Sequence, residues 1–273
     1  MNVIEVKGLK KYFPVTRGLL RQTVGEIKAV DDVSFSVGRG EILGICGESG
    51  CGKSTLARCI TRLYRPTEGE ILFKETDISS FPEGKLRKVR AKISMVFQDS
   101  GSAFNPRQRI RDIISEPLDI HRVGKKENRN ERVRHLCGMV NLSAEILDRY
   151  PHELSGGQRQ RVGIARAIAS EPEVIICDEP LSALDVSVQA QIINLFLELR
   201  QKMNALSYIF ISHDLSVIRR ICDRVAIMHQ GKIVEIADTE ELFQNPLHIY
   251  TKFLFSALPN RRYQHSVRKK SCI

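Results

Sequence analysis

GICGESGCGKSTLARCI, running from Gly44 to Ile60, places Gly47, Gly50 and Gly52 ahead of Lys53, Ser54 and Thr55 and then turns apolar at helical spacing. Gly47 to Ser54 fits G-x-x-x-x-G-K-[ST], and the preceding EILGIC reads as a strand. This is the strand, loop and helix order that a phosphate-binding loop requires. Glycines let successive backbone N–H groups point inward as a nest for phosphate oxygens, and a helix starting near Lys53 adds its positive dipole end. The loop is then Gly47, Glu48, Ser49, Gly50, Cys51, Gly52, Lys53, Ser54 and Thr55. In such a loop Lys53 would reach the β- and γ-phosphates and Ser54 would bind Mg²⁺. The bland reading of the same residues is a glycine-rich turn between strand and helix.

Outward from this loop, the chain up to about Asp99 reads as short strands (AVDDVSFSV, GEILGIC, GEILFKETDI, KISMVFQD) interrupted by one helix, Lys53 to Tyr64. From Ile110 to about Asp148 the pattern becomes helical and highly charged, with no convincing strand. After Ser155 helix and strand alternate: GQRQRVGIARAIA, EVIICDEP, VSVQAQIINLFLELRQKM, SYIFISH, DLSVIRRIC. That alternation implies a parallel α/β sheet. A hairpin at DRVAIMHQGKIVEIA, turning at Gln230 and Gly231, and a short helix at TEELFQ close the fold. The expected organisation is an α/β core of residues 1–109 and 155–273, interrupted by a helical segment at 110–154.

A phosphate loop needs a metal carboxylate and a group that activates water, and VIICDE offers both at the end of a buried strand. Asp178 is placed to hold Mg²⁺ and Glu179 to polarise the attacking water. LSGGQRQRVGIARA, Leu154 to Ala167, is a third signal. Ser155 and Gln158 have the spacing of a capping box, which by itself only starts a helix. Gly156 and Gly157, however, strip side chains from that helix's first turn and leave backbone donors open to an anion. One nucleotide seldom needs two phosphate-recognising surfaces from one subunit, so a second subunit is implied.

With 273 residues, 42% apolar and 27% charged, the composition is that of a globular protein and excludes fibrous and disordered classes. No run approaches the roughly 18 apolar residues of a membrane span, and MNVIEVKGLKKYF alternates where a signal peptide would carry an apolar block, so a cytosolic protein is expected. Seven cysteines without a C-x-x-C pair read as reduced thiols. The net charge of +10 is concentrated in His121 to Arg134 and in the acid-free tail Asn260 to Ile273. Such clusters suit nucleic acid, anionic lipid, an acidic partner, or simply solvent.

Taken together these pieces resemble the ATP-binding subunit of an ABC transporter. GESGCGKS is similar to the Walker A loop, VIICDE to Walker B and LSGGQ to the signature motif; Gln98 in MVFQDS is similar to the Q-loop glutamine, Ser182 to Asp185 to the D-loop and His213 to the switch histidine. The resemblance implies a P-loop ABC ATPase core with an N-terminal antiparallel β subdomain and a helical signature subdomain, with ATP and Mg²⁺ as cofactors. It assigns catalysis to Glu179, His213, Gln98 and Lys53, metal binding to Ser54, Gln98 and Asp178, and adenine stacking to Tyr12. It also implies a head-to-tail dimer in which each ATP meets one Walker A loop and the other subunit's Ser155, Gly156, Gly157 and Gln158. The helical segment should move relative to the core, with Gln98 near the hinge. NPR (Asn105 to Arg107), RYPHELSGGQRQR, EPLSALDVSVQAQIINL and NPLHIYT (Asn245 to Thr251) resemble the second ATPase of dipeptide and oligopeptide importers, a group that includes nickel importers. Ser100 and Ile249 depart from the usual prolines of that pattern, and Ser100 leans toward the nickel branch. The implied partners are two membrane permeases, a second and different ATP-binding subunit, and an extracellular substrate-binding protein. The implied place is peripheral, at the cytoplasmic face of the membrane. A soluble ABC ATPase acting on nucleic acid or ribosomes is the distant alternative. Such proteins usually carry two ATPase units or a long coiled-coil insert, and this chain has neither, so no nucleic-acid partner is expected.

Overall fold

In chain order the strands are β1 (Asn2–Arg17), β2 (Gln22–Gly38), β3 (Ile42–Cys46), β4 (Glu68–Phe73), β5 (Thr76–Asp77), β6 (Ile93–Val96), β7 (Val174–Asp178), β8 (Ser207–Ile211), β9 (Arg224–His229) and β10 (Lys232–Asp238). The helices are α1 (Lys53–Ile60), α2 (Glu83–Arg90), α3 (Ile110–Ile120), α4 (Arg129–Met139), α5 (Gly156–Ile168), α6 (Val186–Lys202), α7 (Leu215–Ile221), α8 (Thr239–Gln244) and α9 (Ile249–Ser256). The computed structural model describes residues 1–17, 22–98, 101, 103–203 and 205–256. Ser100, Cys272 and the basic tail from Asn260 lie outside the described residues.

Two sheets result. One is antiparallel, in the order β2-β1-β4-β5. The other runs β10-β9-β3-β8-β7-β6 and is parallel except for the antiparallel edge strand β10. Successive strand residues point to opposite faces, and in the parallel sheet both faces are apolar, as a sheet covered on both sides requires. Leu43, Ile45, Val174, Ile176, Ile209 and Ile211 face a core shared with α1 and the antiparallel sheet. Ile42, Cys46, Ile175, Cys177, Tyr208 and Phe210 face a second core under the helices. Each fully buried apolar side chain contributes about 1.5–3 kcal/mol. The buried side chains of α3 and α4 belong to the second core, alongside those of α5 and α6.

Several sequence expectations change in detail. The helix read as Lys53 to Tyr64 ends at Ile60, because Arg62 turns left-handed (φ 56°) and its N–H closes onto Cys59 O at 2.9 Å. GEILFKETDI is a hairpin and not one strand: Lys74 and Glu75 both have positive φ (49° and 66°), the geometry of a tight two-residue turn. The region before Asp99 holds a second helix, α2, and the fold closes with α9 as well as α8. Six described cysteines are buried and unpaired, and burial pushes Cys46 up to about 12 and Cys59 and Cys137 to about 11, which keeps them protonated. Among the described residues no helix is long and apolar enough to cross a membrane.

Candidate active site

The phosphate-type loop leaves the buried strand β3, turns, and feeds α1, wedged between the two sheets. A Cβ on Gly47 would lie 2.0 Å from Met228 O of β9, and one on Gly52 would lie 2.0 Å from Ala29 O of β2. Gly52 also has φ 110°, a conformation that side chains resist. Both glycines are therefore required by backbone approach. The β9–β10 turn closes the wall: Gly231 N–H donates to Cys51 O at 2.9 Å, and Gly231 O accepts from Asp31 N–H at 2.8 Å. Inside the loop, Lys53 Nζ donates to Gly47 O (2.8 Å) and Glu48 O (2.7 Å) and lies 3.8 Å from Cys51 Sγ. Burial pushes the Cys51 thiol up even though the neighbouring Lys53 opposes it.

A cavity of about 400 Å³ opens over this loop. Its floor is Ser49 to Thr55, and Gln98 and Glu179 reach it from the ends of β6 and β7. Gln98 follows β6 by two residues and Glu179 follows β7 by one, so the parallel sheet delivers both to the edge where the loop begins. Glu179 N–H continues the strand pairing to Ile211 O (3.0 Å), and Glu179 O accepts from Ser182 N–H (3.3 Å) and Ser182 Oγ (3.1 Å). Its backbone is left-handed (φ 48°), which is strained for a residue with a side chain. Glu179 Oε2 lies 3.2 Å from His213 Nδ1, and the His213 side chain is exposed.

Asp178, the last residue of β7, is 4% exposed and accepts a hydrogen bond from Ser54 Oγ at 2.8 Å. Burial pushes its carboxyl up, against the lowering effect of the Ser54 hydroxyl. Hydroxyl, carboxylate and amide oxygens from Ser54, Asp178 and Gln98 form a hard donor set suited to Mg²⁺. Among the described residues no three His, Cys, Asp or Glu side chains gather to hold a metal unaided. A divalent ion held here would take the rest of its shell from water and phosphate oxygens, the ordinary mode for Mg²⁺.

Other expected residues stand apart from the cavity. Tyr12 does not line it, whereas its cross-strand partner Lys28 does. Lys28 Nζ sits 5.3 Å from the Tyr12 ring centroid, and Tyr12 Oη donates to Asp31 Oδ1 at 2.5 Å. None of Ser155, Gly156, Gly157 and Gln158 lines it either. They begin α5 with a complete capping box: Gln158 N–H donates to Ser155 Oγ (3.3 Å), and Ser155 N–H donates to Gln158 Oε1 (3.0 Å). A Cβ on Gly157 would meet Val188 Cγ1 at 2.7 Å, so the missing side chain also serves packing against α6. Ile27 to Ala29 and Gln230 with Gly231 are cavity walls that motif reading did not identify. They contribute backbone and shape, and only the Gln-Gly turn left a trace in the sequence.

The chain belongs to the ABC transporter family, whose description matches residues 30–182, and is an ATP-hydrolysing transport subunit. A second description, the oligopeptide/dipeptide transporter C-terminal region, matches residues 234–270. The chain is 54% identical to the oligopeptide transport ATP-binding protein AppF of Bacillus subtilis (strain 168), over all of this chain and 83% of that protein. It is 52% identical to OppF of the same organism, another oligopeptide transport ATP-binding protein, over 94% of this chain and 83% of that one. Among solved structures, the dimeric ATP-binding cassette MJ0796 in a post-hydrolysis state bound to ADP and Pi superposes with a TM-score of 0.77 at 29% identity, covering 86% of this chain and 98% of that chain.

Proposed function

We propose that this chain binds MgATP in the cavity and hydrolyses it to drive import of oligopeptides through membrane permeases. The observation that carries the catalytic reading is convergence: Lys53, Ser54, Gln98 and Glu179 line one cavity, Asp178 and His213 stand directly behind Ser54 and Glu179, and a second turn suited to an anion, Ser155 to Gln158, stands outside it. Loop amides and Lys53 bind the phosphates. Mg²⁺, held by Ser54, Asp178 and Gln98 with phosphate oxygens, supplies charge neutralisation when bound. Glu179 accepts the proton of the attacking water and His213 steadies its carboxylate, while adenine, extending past Lys28 beyond the cavity's rim, stacks on the Tyr12 ring.

The exposed turn at Ser155 completes the cavity of a second, different cassette, head to tail; the dimeric form of the MJ0796 cassette supports an assembly of two cassettes. ATP then acts as interfacial glue, and hydrolysis releases the closed state. Residues 110–154 act as the moving helical subdomain. A cleft of about 230 Å³ between them and β6, lined by Phe104, Glu116, His121 and Arg166, is the seat for a permease segment. This docks the chain on the cytoplasmic face of the membrane, while an extracellular binding protein delivers cargo to the permeases from the opposite side. Oligopeptide cargo rests on the C-terminal match and on the relatives' names.

The test is Glu179→Gln in cells whose only copy carries it. ATP should still bind, while turnover in isolated membranes falls about 10²-fold or more. Uptake of labelled oligopeptide should fall to background and uptake of labelled nickel should not change. Near-native hydrolysis would remove Glu179 from the mechanism, and loss of nickel uptake alone would reassign the cargo.

A further inference from the structure

The phosphate loop has one support that comes from the far end of the chain. Glu48 N–H, in the loop's first turn, donates to the hydroxyl of Tyr250 on α9 at 3.2 Å. The same residue's carbonyl accepts from Lys53 Nζ at 2.7 Å, so Glu48 is held on both sides, by the loop's cation and by α9. The Tyr250 ring is 8% exposed and stacks on His229 with centroids 3.9 Å apart and planes 29° apart. His229 ends β9 immediately before Gln230 and Gly231, the turn that walls the cavity and bonds Cys51 O. Tyr250 therefore touches the loop directly and abuts the strand end that carries its outer wall.

The seat of Tyr250 is itself built. Both oxygens of Glu235 on β10 accept backbone N–H groups just ahead of α9, from Leu247 at 2.7 Å and from His248 at 3.0 Å. His248 Nδ1 in turn accepts from Tyr250 N–H at 3.2 Å. These bonds fix where α9 starts and hence where the phenol points.

We infer that Tyr250 is a positioning residue for nucleotide binding: its hydroxyl holds the Glu48 peptide, and with it the carbonyls that hold Lys53, in the geometry that receives phosphate. The inference rests on reading the loop as the nucleotide site. Its physical basis is that a loop already ordered before binding loses less conformational freedom on binding. Without the hydroxyl, the Glu48 amide loses its acceptor and the loop must be ordered by the nucleotide itself.

The test uses the full chain with Tyr250→Phe, which removes one oxygen and keeps the ring stack. The Kd for MgATP should rise about three- to tenfold. The melting temperature should stay within about 2 °C of native. Alkylation of Cys51 by N-ethylmaleimide without nucleotide, followed by peptide mass mapping, should become several-fold faster, because the loop that shields the thiol opens more often. Tyr250→Leu removes the stack too and should move Kd and alkylation at least as far. A variant with native Kd and native Cys51 labelling overturns the inference. So does one whose labelling quickens equally at the buried Cys177 and Cys222, because that pattern reports general unfolding. Failure of the native chain to bind MgATP would overturn the nucleotide reading instead, and the alkylation difference would still report the Tyr250 contact.

Discussion

Asp178 and Glu179 are neighbours in sequence with opposite surroundings. Asp178 ends the strand facing inward, shut off from water with Ser54 Oγ as its hydrogen-bond donor, while Glu179 leaves the strand through a left-handed turn and reaches the cavity. Burial raises the Asp178 carboxyl pKa above its ordinary value. Between the ordinary and the raised value the folded chain holds more protons than the unfolded one, so this group's effect is to lower stability as pH rises through that window. Above that window the penalty is fully present. Asp178→Asn keeps an acceptor for Ser54 and removes the charge, so without nucleotide it should melt higher than the native chain at pH 7, by about 2 °C or more. The two melting curves should converge as pH falls into the carboxylate range. With MgATP the order should reverse, because the variant loses the charge that the ion requires. Scanning calorimetry across pH, with and without nucleotide, checks both signs. The pair was legible in sequence as two acids after an apolar run. Which of them is buried was not, because that depends on where the strand ends, and the left-handed turn at Glu179 has no composition of its own.

Among the elements, the long buried helices were the most legible, although the shorter α7 and α8 were read as well. α5 and α6 have 13 and 17 residues and bury apolar stripes, so their period stands out in the sequence. α2 and α9 have eight residues each, and α2 buries only Leu86, which is too little to show a period. α9 exposes Ile249 and Phe253 and is held instead by the Tyr250 stack and by bonds from Glu235 to the residues ahead of it, contacts that reach across the fold. Burial would push the Glu235 carboxyl up, but the hydrogen bonds it accepts outweigh this and hold it below the usual range. Its contribution is therefore present above the ordinary carboxylate pKa and is lost as pH falls through the lowered folded value. Glu235→Gln retains one acceptor and loses the other, so at neutral pH it should melt about 2–4 °C lower than native, with the gap closing in acid. Because Glu235 fixes the start of α9, the same variant should also speed Cys51 alkylation. An unchanged melting temperature at pH 7 would show that α9 is seated without the Glu235 bonds, by the Tyr250 contacts and the Phe243–Phe255 stack.

At the scale of the whole molecule, the antiparallel sheet was implied only by the family resemblance, whereas the parallel sheet was legible because its strands are apolar on both sides and feed two cores. The cavity walls supplied by β2 and the β9–β10 turn were not, since backbone approach by Ala29 and Met228 leaves its mark only on the glycines they face. The same scale governs the relation between the cavity and the Ser155 turn, which this chain keeps apart. If a second cassette joins head to tail, damage to the two surfaces must appear at different nucleotides. Lys53→Ala in this chain should abolish photolabelling of this chain by azido-ATP in the assembled transporter and leave the partner's labelling intact. A Cβ on Gly156 would meet only Leu184 Cδ2, at 3.6 Å, and avoids the Val188 clash that a side chain on Gly157 would cause. Gly156→Asp then puts a negative charge on the first turn of α5, where phosphate would approach the helix's positive end. It should leave this chain's own loop able to bind and remove the trapped nucleotide from the partner cassette. The double variant should lose both. Loss of the same nucleotide in the two single variants would mean that the turn and the loop serve one site, which the separation of Ser155 from the cavity within a single chain argues against.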